Sequence, residues 1–155
     1  MRIVLQRVKK ASVVVDGKIV SEIGKGLLVL LGAEKGDTEA LADYLAKKIV
    51  NLRIFPDEND KMNLSIKEVV GEVLVVSQFT LASYIKKGNR PSFSDALEEK
   101  IAEKLYEKFV DNIKSEGLRV RKGVFKARME VSLVNDGPVT FILERRANSK
   151  QSDFI

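Results

Sequence analysis

Gly-Leu-Leu-Val-Leu-Leu-Gly-Ala, residues 26–33, is an unbroken apolar run in the first quarter of the chain. A run this short, rich in aliphatic side chains and ending near a glycine, is typical of a strand that is buried on both faces. Directly after it, residues 38–52 repeat apolar side chains at the spacing of a helix. Asp37 or Thr38 can cap the first free amides of that helix. A buried strand followed by an amphipathic helix favours an α/β domain.

The elements on either side of this pair are mostly strands. Residues 12–23 predict a hairpin, because Asp16-Gly17 supplies the positive φ angles of a type I′ turn. The other predicted elements are strands at 2–8, 72–81, 118–125, 128–134 and 139–145, an irregular segment at 53–66, and a helix at 95–116 with Ser94 as its N-cap.

The number of elements predicts how they are layered. With about eight strands and two helices, the helices can cover only one face of a mixed sheet, so a second layer of strands must cover the other. We therefore expect a single compact α/β domain over residues 1–155, layered β/β/α, with mixed sheets and two main helices. Residues 146–155 read as a surface tail.

Two absent residue types narrow the chemistry. The chain has no cysteine and no histidine. Disulfides, thiol nucleophiles, Ser-His-Asp catalysis and ordinary zinc sites are therefore excluded. No apolar stretch approaches the roughly 20 residues of a membrane span, and the N-terminus does not read as a signal segment. We expect a cytoplasmic protein with no membrane partner, no metal and no cofactor.

Charge is spread unevenly along the chain. The 27 basic and 22 acidic residues give a net charge of +5. Residues 1–55 and 117–155 are basic, whereas residues 56–116 are acidic. If the two basic ends meet in the fold, they form a positive face that would attract a polyanion such as RNA. A lysine-rich solvated surface is the alternative.

Ser77-Gln78-Phe79-Thr80 ends the strand predicted over residues 72–81. Alternation along a strand would point Gln78 and Thr80 to the same side. An amide and a hydroxyl placed there suit the binding of a carbonyl or a ribose. An ordinary polar strand end near solvent is the alternative. A threonine nucleophile would also need a base, and the chain has no histidine to serve as one.

Two loops are further candidates. Residues 135–140 contain Gly137-Pro138, where glycine allows the close approach of a ligand or another backbone and proline removes an amide donor. A plain hairpin loop is the alternative there. The loop at 86–90 carries the cations Lys86, Lys87 and Arg90, which suit contacts with phosphates or a solvated surface.

Long motifs follow one another in order over nearly the whole chain. They are Met1-Arg2-Ile3-Val4-Leu5-Gln6-Arg7-Val8, Asn51-Leu52-Arg53-Ile54-Phe55, Lys61-Met62-Asn63-Leu64-Ser65, Ser77-Gln78-Phe79-Thr80-Leu81, Lys87-Gly88-Asn89-Arg90-Pro91-Ser92-Phe93-Ser94 and Leu133-Val134-Asn135-Asp136-Gly137-Pro138-Val139-Thr140. In these motifs the chain resembles the D-aminoacyl-tRNA deacylase family, also called the D-tyrosyl-tRNA deacylase family.

The resemblance implies hydrolysis of the ester that joins a D-amino acid, or mischarged glycine, to the terminal adenosine of tRNA. It also implies a homodimer in which Gly137-Pro138 of one subunit, with a cis peptide bond, enters the pocket of the other. The implied partners are aminoacylated tRNA and a second copy of the chain, and not DNA. The implied site residues are Ser77, Gln78, Phe79 and Thr80 for catalysis, Arg7, Met129, Gly137 and Pro138 for substrate binding and chiral selection, and Lys86, Lys87 and Arg90 for tRNA binding.

The implied hydrolysis has two possible mechanisms. Hydrolysis can use Thr80 as a nucleophile, or it can use the ribose 2′-hydroxyl of the tRNA to activate water; the lack of histidine and cysteine favours the second. Lys126 and Arg128 stand where the family usually has glycine and an acidic residue, so no site role carries over to them. The alternative functions are a non-catalytic module that binds the tRNA 3′ end on the same fold, and a hydrolase of small esters.

Overall fold

The computed structural model describes residues 1–85 and 88–146, and these residues contain eight strands and two α-helices. The strands are β1 Arg2–Val15, β2 Lys18–Ile23, β3 Gly26–Gly32, β4 Phe55–Pro56, β5 Met62–Leu64, β6 Glu72–Ser77, β7 Arg119–Lys122 and β8 Glu130–Glu144. The helices are α1 Glu39–Val50 and α2 Glu99–Ser115, and neither is long and apolar enough to cross a membrane. Lys86, Lys87 and the predicted tail beyond Arg146 lie outside the described residues.

One mixed sheet of six strands organises the fold. Its strands follow the order β2-β1-β3-β6-β7, and β8 pairs with β1. β3 runs antiparallel to β1 but parallel to β6, which in turn runs parallel to β7. Every residue of β3 except Leu30 is buried, so the apolar run forms the strand that the sequence predicts. The predicted α/β fold with a mixed sheet and two helices is confirmed.

Two apolar cores separate three layers. The larger core lies between the sheet and both helices, where Leu5 and Val29 pack with Leu45 and Phe109. The smaller core lies on the opposite face of β3 and β6, which packs against the second half of β1, β2 and the first half of β8. Its residues include Val13, Ile23, Leu28, Leu74, Val131 and Leu133. The long strand β1 contributes to both cores, and the result is a β/β/α arrangement.

Local signals in the first third of the chain are accurate. Asp16 and Gly17 both have positive φ, at 50° and 73°, and they join β1 to β2 as the hairpin predicts. Thr38 caps α1, because its hydroxyl accepts a hydrogen bond from the amide of Leu41 at 3.3 Å. These elements form where sequence-local chemistry and the tertiary fold agree.

The second helix begins later than predicted. Glu98 caps α2, and Ser94 does not. The residues before the helix are bonded to the chain just after β3: the carbonyl of Asp95 accepts from residue 35 at 2.9 Å, and the amide of Leu97 donates to residue 33 at 3.1 Å. These tertiary bonds occupy the groups that a helix starting at residue 95 would use.

The prediction of a loop at residues 135–140 is wrong. β8 runs through it as one strand, because the pairing with β1 continues on both sides of the Asn-Asp-Gly-Pro segment. Gln6 pairs with Thr140 and Val8 pairs with Asn135, so β8 has more residues than β1 over this stretch. The register of the pairing shifts on either side of Val8 to accommodate them. The segment at 53–66 is also more regular than predicted, since β4 and β5 pair within it.

Candidate active site

A cleft of about 530 Å³ opens beside the carboxyl ends of β3 and β6. Its walls come from the turn that follows β6, the start of α2 and the segment that leads into β8. The apolar part of its lining includes Leu31, Val76, Ala102, Tyr106, Phe125 and Met129. A pocket with an apolar floor and a few polar groups at one end is the usual form of a small-molecule site.

Ser77, Gln78 and Phe79 line the polar end of this cleft. The strand does not continue to residue 81 as predicted, because β6 ends at Ser77 and a short 3₁₀ turn follows at Phe79–Ala82. The prediction that strand alternation aligns Gln78 with Thr80 therefore fails. The two side chains still meet, because the turn brings the side-chain nitrogen of Gln78 within 2.6 Å of the Thr80 hydroxyl. The Gln78 side chain donates this hydrogen bond.

Phe79 presents an exposed aromatic face beside the polar end of the cleft. The side chain is 60% exposed, and its ring packs edge to face on Phe93 with centroids 5.1 Å apart. An exposed aromatic at the mouth of a pocket suits stacking against a planar group such as a nucleobase. Phe79 is a predicted site residue, whereas Phe93 belongs to the motif over residues 87–94 but is not predicted to be part of the site.

Met129 is held against the backbone of the cleft wall. A side chain added at Gly123 would lie 2.7 Å from the Met129 sulfur, so the glycine makes room for this contact. The Tyr106 hydroxyl and the amide of Gly123 both donate to the carbonyl of Val75, at 2.8 Å and 2.9 Å. Burial raises the pKa of Tyr106 well above its usual range, so the phenol is neutral and structural.

Gly137 and Pro138 lie in the middle of β8, and both are exposed. The peptide bond between them is cis. The side chain of Asn135 spans the segment: its oxygen accepts from the amide of Val139 at 2.8 Å, and its nitrogen donates to the hydroxyl of Thr140 at 3.0 Å. Gly137 and Pro138 do not line the cleft of their own chain. The structure therefore does not bring them together with residues 77–80 of the same subunit.

Arg7 fixes the backbone beside this segment. Its side chain is almost fully buried, with the residue 8% exposed. Nε donates to the carbonyl of Asp136 at 2.9 Å, and one terminal nitrogen donates to the carbonyl of Ile54 at 2.6 Å. A guanidinium can hold both carbonyls at once because its donors form a rigid fork. Arg7 thus ties β8 to the loop after α1.

One of the cations near the polar end lies at the rim of the cleft itself. Lys126 lines the cleft and forms an ion pair with Glu99 at 2.7 Å, which raises the pKa of the lysine. Arg90 is exposed, whereas Lys86 and Lys87 fall outside the described residues. Within residues 1–85 and 88–146, no group of three carboxylates is placed to hold a metal ion.

Comparison with known proteins identifies a family and close relatives. The family model described as D-Tyr-tRNA(Tyr) deacylase matches residues 4–144. A protein of Thermodesulfovibrio yellowstonii named D-aminoacyl-tRNA deacylase is 60% identical over 142 residues, which cover 92% of this chain and 97% of that protein. A protein of the same name from Pelobacter propionicus is 58% identical over 94% of this chain and 100% of its own length.

Solved structures share the fold. One described as a c-Myc DNA unwinding element binding protein has a TM-score of 0.88 and 42% identity, and the match covers 95% of this chain and 100% of that one. Another, described as a probable eukaryotic D-amino acid tRNA deacylase, has a TM-score of 0.77 over 92% of this chain and 97% of its own. Its 18% identity makes it a likeness of fold alone.

Proposed function

This chain belongs to the D-Tyr-tRNA(Tyr) deacylase family and is a hydrolase of D-aminoacyl-tRNA esters, and we propose that its cleft binds the aminoacylated terminal adenosine of tRNA. The observation that carries the proposal is the polar end of the cleft, where Gln78 and Phe79 stand side by side. In this proposal the adenine stacks on the face of the Phe79 ring, and the edge of the adenine contacts the apolar floor of the cleft. The ester of the substrate then lies near the side-chain amide of Gln78. We place this activity in the cytoplasm, with no part for DNA.

The amides around residues 78–80 and the Gln78 side chain are the donors in our proposal for the oxyanion of ester hydrolysis. A tetrahedral oxyanion needs hydrogen-bond donors fixed before the reaction begins. The Gln78 amide is already oriented by its bond to Thr80 at 2.6 Å. Ser77, the last residue of β6, anchors the turn to the sheet. In this proposal the protein positions the ester and stabilises the oxyanion.

Chirality is selected by backbone and not by a side chain. In our proposal, carbonyls at Gly137-Pro138 accept hydrogen bonds from the α-amino group of the substrate. With the amine and the ester fixed, an L side chain would point into those carbonyls, whereas a D side chain would point out of the pocket. Discrimination of this kind works by excluding the wrong substrate. Many D-amino acids are accepted, and glycine is accepted because it has no side chain to exclude.

A second copy of the chain supplies Gly137-Pro138 to the cleft in this proposal. Two observations support it: the segment is exposed, and it does not line the cleft of its own chain. Apolar side chains on the same strand are also exposed, with Phe141 at 38% and Ile142 at 61%. Arg7 then serves as a positioning residue, since it holds the carbonyl of Asp136 directly before the glycine.

Mixing two inactive variants tests the shared site. Gly137→Ala and Gln78→Ala are each expected to be nearly inactive alone. After subunit exchange, the mixture should recover about one quarter of the wild-type rate, because half of the dimers are mixed and each holds one site with both residues intact. Each variant exchanged with itself is the control. A mixture that contains mixed dimers but shows no recovery would mean that each site lies within one chain.

The reaction itself is tested by release of amino acid from D-tyrosyl-tRNA and L-tyrosyl-tRNA at equal enzyme concentration. We expect fast release from the D ester and none above the uncatalysed rate from the L ester. Equal release from both would overturn the chiral selection. Binding of tRNA without release from either would leave the non-catalytic module as the function. Turnover of small esters that lack adenosine, at a rate that does not fall with added salt, would favour the small-ester hydrolase, since RNA binding weakens steeply with salt.

A further inference from the structure

One short segment beside the cleft, residues 126–129, carries two cations. Ala127 and Met129 line the cleft, and Arg128 lies between them with an exposed side chain. Within the described residues, Arg128 makes no hydrogen bond and no ion pair. Lys126, on the same segment, lines the cleft as well. A cationic pair at the mouth of a site for the end of an RNA has an obvious ligand in the RNA backbone.

Lys126 is held in a conformation that ordinary side chains avoid. Its φ is +67°, in the left-handed region that favours glycine. From there its side chain reaches across the mouth to Glu99 at the start of α2, with 2.7 Å between Nζ and the carboxylate. Both side chains are more than half exposed, so the pair is screened by water and open to competition by another anion.

The charge at the mouth determines what can enter. Glu99 also lines the cleft, and its carboxylate alone would repel a phosphate. Lys126 cancels that charge in the free protein, and its raised pKa keeps it protonated. Arg128 adds a second positive charge, which no ion pair neutralises in the part of the chain that the structure describes. Glu103 also lies near enough to raise the pKa of Lys126, so in the free protein the carboxylates of Glu99 and Glu103 balance the two cations of the segment.

We propose that Lys126 and Arg128 form a phosphate-binding rim for the phosphodiester that precedes the terminal adenosine, with Glu99 exchanged for that phosphate when tRNA binds. This inference rests on the proposed function, because it assumes that the cleft holds the terminal adenosine. Lys126 and Arg128 act as positioning residues: they place the end of the RNA and do not touch the reacting ester. Their effect is on binding of tRNA and not on the chemical step.

The test compares two substrates that differ in the phosphate. D-tyrosyl-tRNA carries it, whereas adenosine esterified with D-tyrosine on the ribose does not. For Arg128→Ala we expect the KM for D-tyrosyl-tRNA to rise about tenfold with kcat little changed, and the salt dependence of binding to become shallower by about one phosphate contact. The minimal ester should be hydrolysed at the wild-type rate, and Arg128→Lys should restore most of the affinity for tRNA.

The control and the opposite substitution sharpen the result. Arg121→Ala removes an exposed arginine that lies on β7 and does not line the cleft, and it should leave the KM unchanged. Glu99→Gln removes the competing carboxylate and should lower the KM for tRNA about threefold, an effect that a purely structural ion pair would not produce.

The outcomes separate the two proposals. If the wild-type protein hydrolyses neither substrate, the proposed function fails. If it hydrolyses both, but Arg128→Ala changes both equally or changes neither, the function stands and the phosphate-binding rim is wrong.

Discussion

Replacing Gly137 with alanine is expected to reduce hydrolysis of D-tyrosyl-tRNA by about a hundredfold, because a displacement of the order of 1 Å at a positioning group has that effect on a rate. Gly137 has φ +146°, which side chains rarely adopt. A Cβ at this position would lie 2.5 Å from a methyl group of Val139 and 2.8 Å from its backbone nitrogen. The methyl group can rotate away, but the backbone contact can be relieved only if the segment moves.

Movement of this segment would displace the protein groups that, in our proposal, bind the substrate. The amide of Val139 donates to the side chain of Asn135 at 2.8 Å, so shifting it also disturbs the bond that spans the segment. The carbonyls at Gly137-Pro138 would then no longer meet the α-amino group. Release is measured with D-tyrosyl-tRNA at substrate concentrations below the KM, where kcat/KM is read directly.

Gly117 provides the matched control. It also has a positive φ, at +84°, but no atom lies within 4 Å of the position a Cβ would take. Gly117→Ala should lower the free energy of unfolding by about 1 kcal/mol and leave deacylation unchanged. Sedimentation of Gly137→Ala should still give the wild-type assembly. Wild-type turnover of the D ester by a folded Gly137→Ala protein would remove Gly137 from the proposed chiral site.

The sequence predicts this fold best where chemistry close in the chain decides the structure. The apolar run at 26–33, the Asp16-Gly17 turn and the Thr38 cap each act within a few residues, and all three form as predicted. The layering also follows, because two helices can cover only one face of the sheet. In these regions local preference and tertiary packing favour the same structure.

Predictions fail where distant contacts override local preference. Ser94 is a good capping residue, but the chain after it is bonded to residues 33–35, and the helix starts only after Glu98. The Asn-Asp-Gly-Pro segment has the composition of a turn. It stays within β8 because β1 pairs on both sides of it and because Arg7 holds the carbonyl of Asp136. A single sequence read by local pattern contains neither contact.

The candidate site is an intermediate case. Ser77, Gln78, Phe79 and Met129 line one cleft, as a shared site requires. The contact of Gln78 with Thr80 arises from a turn and not from a strand, because the backbone carbonyl of Gln78 accepts a hydrogen bond from the amide of Leu81 within the 3₁₀ turn. No local pattern predicts the ion pair of Lys126 with Glu99 at the rim, because 27 residues separate the two in the chain.

The largest effect on the chemical step is expected from a change in the substrate. A tRNA that is aminoacylated with D-tyrosine on the 3′-oxygen, and whose terminal adenosine lacks the 2′-hydroxyl, should be hydrolysed at least about a hundredfold more slowly, since a positioned proton carrier contributes that much or more. The reason is that the chain has no histidine and no cysteine to carry the proton. Binding of the deoxy substrate should be little changed, as measured by its inhibition of the normal reaction.

Thr80→Ala and the nearly isosteric Thr80→Val test the competing mechanism from the side of the protein. The Thr80 hydroxyl accepts from Gln78 at 2.6 Å, so its loss removes one hydrogen bond that orients the amide. One such bond is worth about 1 kcal/mol, which corresponds to a loss of less than about tenfold in rate. Both variants should therefore keep most of their activity. If a folded Thr80→Val protein still binds tRNA but is inactive, while the deoxy substrate is hydrolysed normally, Thr80 is the nucleophile and the ribose has no chemical role.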